Sequence, residues 1–111
     1  MQIQPWKVKL SRVAATTYGM RLARRAMLRE YCHDGHAVLE IENQLIDMAV
    51  AKLSEAIRIP TSTYTYIEIT SLVREAAIFQ IISSDENDDI KKSALSGVTC
   101  MTDEEILPRL N

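Results

Sequence analysis

The chain has 111 residues, 47% of them hydrophobic and 25% charged, with a formal net charge of −2. That length fits one domain rather than two, and that composition excludes a disordered chain. Three glycines and three prolines are too few turn-formers for a many-stranded sandwich or barrel, and no apolar run approaches the roughly 20 residues that cross a bilayer.

The first residues, Met1-Gln2-Ile3-Gln4-Pro5, lack the charged start and apolar stretch of a secretory signal. Residues 6–10 alternate. Trp6, Val8 and Leu10 fall on one side, Lys7 and Lys9 on the other, which is strand periodicity. The expectation over 1–10 is a short strand or extended arm, with Pro5 at its start.

Ser11 is a natural N-cap for a first helix over about 12–32. At 100° per residue, Val13, Met20, Ala23, Met27 and Tyr31 share an apolar stripe, and Arg21, Arg25 and Arg29 share the opposite side. The expected packing sets the apolar stripe on the core and the arginines in solvent. Gly19 is the weak point, because an interior glycine costs roughly 1 kcal/mol against alanine. His33-Asp34-Gly35 then turns the chain, with Gly35 as the left-handed cap.

A second helix is expected over about 37–58, ended by Pro60. Val38, Ile41, Leu45, Met48, Ala49 and Ala56, with Leu39, Ile46, Leu53 and Ile57, cover more than half its circumference. A stripe that wide implies contact on two sides, so this helix is expected at the centre of the core.

Residues 61–69 are ambiguous. Their Thr, Tyr and Ile content favours a strand, yet Thr65 and Glu68 make a capping box and Tyr64 and Ile69 a hydrophobic staple. The capping signals place a third helix over about 66–83. An acidic connector follows at 83–89, then a short fourth helix over about 88–95 ending near Gly97, an extended link from Val98 to Met101, and a last helical turn opened by Thr102 and Glu105. The fold expected is therefore all-α. It is one domain over 1–111, with three main helices, short C-terminal helical pieces over 83–111, and an N-terminal arm over 1–10.

Charge is polarised along the chain. Residues 1–31 hold seven cations against one anion; residues 32–111 hold six against fourteen. A basic leading segment of this kind points to an acidic partner or to association between unlike ends. Two cysteines, Cys32 and Cys100, are fewer than a secreted domain of this size usually carries, and read as reduced thiols in a cytoplasm.

Sites of chemistry are hard to find. Cys32, His33 and His36 cluster, but a closed zinc site lacks a second ligand pair. Asp85-x-Asn87-x-Asp89 opens like a calcium loop, then has Ile90 where glycine is needed and Ser96 where a bidentate glutamate belongs. No glycine-rich phosphate loop exists. Cys32 has histidines near it in sequence without an arrangement that assigns a base and an orienting group. The expectation is a non-catalytic protein with no cofactor, no metal and no small-molecule substrate.

Two partial DNA-binding resemblances exist. Ala15-x-x-x-Gly19-Met20 with Leu28 downstream resembles a helix-turn-helix, with Gly19 in the turn and Arg21, Arg24 and Arg25 on the recognition helix, although Arg25 occupies a position that should pack inward. A strand carrying outward Lys7 and Lys9, followed by two helices, resembles the ribbon-helix-helix order, although its first helix is too long. Each covers less than half the chain. The candidate nucleic-acid contacts are Lys7, Lys9, Arg21, Arg24, Arg25 and Arg29. The candidate protein interface is Met20, Met27, Leu39, Ile46, Met48, Leu53 and Ile57, where adaptable methionines and surplus apolar area meet. The sequence thus reads as a cytoplasmic regulatory or adaptor protein working by contact with a protein partner, as a homodimer and away from membranes. A DNA-binding regulator is the competing expectation.

Overall fold

The computed structural model describes the backbone over residues 5–31, 36–58 and 65–108, with side chains over 12–30, 38–55 and 65–108. Five helices occupy these residues: α1 (Pro5–Tyr31), α2 (His36–Arg58), α3 (Tyr66–Ser83), α4 (Asp88–Cys100) and α5 (Asp103–Ile106). The all-α expectation holds, and no strand occurs among the described residues. Four of the helices are long, not three.

Residues 6–10 are helix, not strand or arm. Pro5 sits at the first helical position, where its fixed φ suits a helix start and its missing N–H costs nothing. An alternating pentapeptide with no ladder partner gains little as a strand, whereas lengthening an existing helix adds one hydrogen bond per residue ordered. Ser11 is therefore inside α1 and is not its cap. The strand that the composition of 61–69 favours gives way to helix from Tyr66; residues 61–64 lie outside the described ones.

The centre of the molecule is α1, not α2. Helix α1 packs on α3 along its length, on α2 along another side and on α4 along a third, while α5 closes against α3. Helices α1 and α3 approach closely at Gly19. A Cβ built there would meet the Cβ of Ala76 and the carbonyl oxygen of Val73, both at 2.6 Å, and the Ala77 amide nitrogen at 3.0 Å. Small residues set this interface: Ala15 and Ala23 on α1 and Ala77 on α3 are fully buried. Gly19 is thus neither a break nor a turn; the missing side chain lets two backbones come together. Larger side chains, Tyr18, Leu22, Leu53, Ile69 and Ile81 among them, fill the rest of the core.

The α5 start forms the full capping box its sequence predicts, and the α3 start forms the threonine half of its own. Thr65 Oγ1 accepts the Glu68 amide at 3.2 Å, and Thr102 and Glu105 cap each other's backbone, both at 3.2 Å. Asn87 caps α4 by accepting the Ile90 amide at 2.9 Å, so the calcium-like triplet is a helix cap. Helix α4 does not stop near Gly97, and 98–101 is not an extended link. Ala94 and Val98, one turn apart, are both buried, and Arg74 donates to the Val98 and Thr99 carbonyls at 2.9 and 3.3 Å. The Val98 carbonyl also accepts the Met101 amide at 3.3 Å, and Arg74 thus helps satisfy the last carbonyls of the helix.

Two tyrosines tie down the segment after α4. The Tyr18 hydroxyl donates to the Ile106 carbonyl. The Tyr66 hydroxyl donates to the Leu107 carbonyl at 2.5 Å, with the Asp103 carbonyl at 3.0 Å. Ile106 and Leu107 are buried beneath them, and Arg74 adds an ion pair to Asp103 at 3.2 Å.

Candidate interaction face

The arginine row does not stand clear in solvent. Arg24 Nε lies 2.8 Å from Glu42 Oε1, and Arg21 reaches Glu42 Oε2 at 3.5 Å. Glu42 is only 5% exposed. A carboxylate so far from water needs charged partners to persist, and two guanidiniums of α1 supply them. Arg25 donates to Asn43 Oδ1 at 3.0 Å. Burial first, and the neighbouring Arg29 guanidinium second, pull the Arg25 pKa below its ordinary value. Arg29 is exposed. The side chains of Lys7 and Lys9 lie outside the described ones. Neither DNA-binding resemblance survives in the backbone: no turn interrupts α1 at Gly19, and residues 6–10 make no ribbon.

Helix α1 is turned about its axis relative to the sequence expectation. Its buried face is Ala15, Tyr18, Leu22 and Ala23, while Val13 and Met20 point to solvent and Met27 is half-buried. Of the expected stripe only Ala23 is in the core; the Tyr31 side chain lies outside the described ones. Val13, Met20 and Met27 are seven residues apart, hence on one line of the helix. Val13 and Met20 on this line are exposed, while Met27 at its end packs against the edge of the core.

Its neighbours extend that line into a face. A groove lined by Val13, Ala14 and Thr17 of α1 and by Leu45, Met48 and Lys52 of α2 joins it to α2. A second groove, lined by Met20, Arg24 and Met27 of α1 with Gln80 of α3, joins it to α3. On α3, Arg74 marks the side toward α4 and Ala76 the side toward α1, so Leu72 and Phe79, seven apart, lie on the arc away from α4. Val13, Met20, Ile41, Met48 and Phe79 are between 46% and 72% exposed. Side chains of this size in solvent on three adjoining helices mark an interaction site.

The expected interface residues divide. Met20 and Met48 stand on this face, and Met27 and Leu39 are half-buried. Ile46 and Leu53 are core residues, covered by the chain's own packing, and are not available to a partner. Ile57 lies outside the described side chains. The sequence expectation missed Val13, Ile41 and Phe79 as exposed residues. Their spacing carried the signal, since the wide stripe of α2 has one side covered by α1 and the other, Ile41 and Met48, left open.

Among the described residues no three His, Cys, Asp or Glu side chains converge on a metal position; Cys32, His33 and the His36 side chain lie outside them. Cys100 is an exposed free thiol. No helix among the described residues is long and apolar enough to cross a membrane. Comparison of the chain with protein-family models, with curated proteins and with solved structures finds no match.

Proposed function

We propose that the chain is a small non-catalytic regulatory or adaptor module that works by protein contact through the open face of α1, α2 and α3. The observation behind this reading is that Val13, Met20, Ile41, Met48 and Phe79, on three helices, stand in solvent, with Val13 and Met48 lining one groove between α1 and α2. The charged residues bordering it, Arg24 and Lys52, suit the polar rim of a contact surface. Cytoplasmic residence belongs to the same reading and rests on the low cysteine count.

DNA binding is the weaker alternative. Phosphate contacts need available cations, and Arg21 and Arg24 are engaged by Glu42 while Arg25 bonds Asn43.

One pair of measurements tests both. The doubly charged variant Met48→Asp/Phe79→Asp keeps the wild-type thermal melt, because both side chains are already exposed, and loses specific protein partners retained by the immobilised wild-type chain. Unchanged retention by the variant removes the face as the site of contact. Duplex DNA titrated at low and moderate salt shows no salt-steep affinity. Such affinity, abolished in Arg21→Ala/Arg25→Ala/Arg29→Ala, would replace this reading with the DNA one.

A further inference from the structure

We draw no further inference here: the strongest candidate, the exposed apolar patch on α1, α2 and α3, carries nothing, because Glu55 on the Ile41–Met48 line and Glu86 in the groove of Arg21 and Arg24 offset its cations, and nothing in the structure shows what covers it.

Discussion

Tyr18 shows how one side chain couples the first helix to the last. It is 2% exposed, and its hydroxyl donates to the Ile106 carbonyl. Burial, the largest influence, pushes its pKa up to about 12 from the ordinary 10.0; the Arg25 guanidinium opposes this, and Asp47 and Tyr66 reinforce it. In the unfolded chain the phenol ionises near its ordinary value, so above pH 10 the unfolded state sheds a proton that the folded state keeps. Stability from this group is intact below pH 10 and declines as pH rises through 10 to 12, by roughly 2–3 kcal/mol in all. Denaturant titrations across that range should show the decline, and Tyr18→Phe should show it reduced by that amount. At neutral pH the same variant should be less stable by about 1–3 kcal/mol, because the Ile106 carbonyl is left without its donor.

Two glycines inside helices make opposite demands on their elements. At Gly19 an added methyl group meets Ala76 and the Val73 carbonyl; at Gly97 it meets nothing within 4 Å. Alanine gains roughly 1 kcal/mol of helix propensity at either site. Gly97→Ala should keep that gain and raise the melting temperature by several degrees. Gly19→Ala should lose more than it gains, for a net cost of about 1–3 kcal/mol, because α1 and α3 must move apart. Equal effects at the two positions, measured by thermal melts, would disprove the close approach.

The elements differ in how far their sequences announce them. The starts of α3 and α5 were legible because capping is local: Thr65 with Glu68, and Thr102 with Glu105, need only three residues' separation. The rotation of α1 was not legible. Its apolar bulk is in Val13, Met20 and Met27, so a hydrophobicity pattern turns that side inward. The side that is buried carries Ala15, Gly19 and Ala23, which add little bulk yet let α1 and α3 approach closely. Glu42 reinforces the choice by drawing Arg21 and Arg24 toward α2, a pairing across 18 to 21 positions that no local pattern contains. The open face was half legible. The double-sided stripe of α2 announced surplus apolar area, but which side stayed open depended on where α1 settled.

On the scale of the whole molecule, helix α5 and Leu107 act as a clasp. Ile106 and Leu107 are buried, and both tyrosine hydroxyls and Arg74 bind the segment 103–107. Burying two such side chains contributes roughly 3–6 kcal/mol. A chain ending at Met101 should therefore melt more than about 10 °C lower, with a broadened transition by circular dichroism. A melt unchanged by that truncation would show the clasp to be ornamental. The mean Cα radius of gyration, 14.6 Å, exceeds the roughly 13 Å usual at this length. The excess follows from the rod-like α1 and α2, and it provides the long side on which the open face lies.

The bond from Tyr18 to Ile106 spans 88 positions. Synthesis runs from the amino end at about 5–20 residues per second, so α1 leaves the ribosome many seconds before its last partner exists. Its alanine-and-glycine side is bare until Val73–Ala77 of α3 emerge to cover it. The surroundings of α1 are thus closed in two steps, first by α3 and last by residue 106.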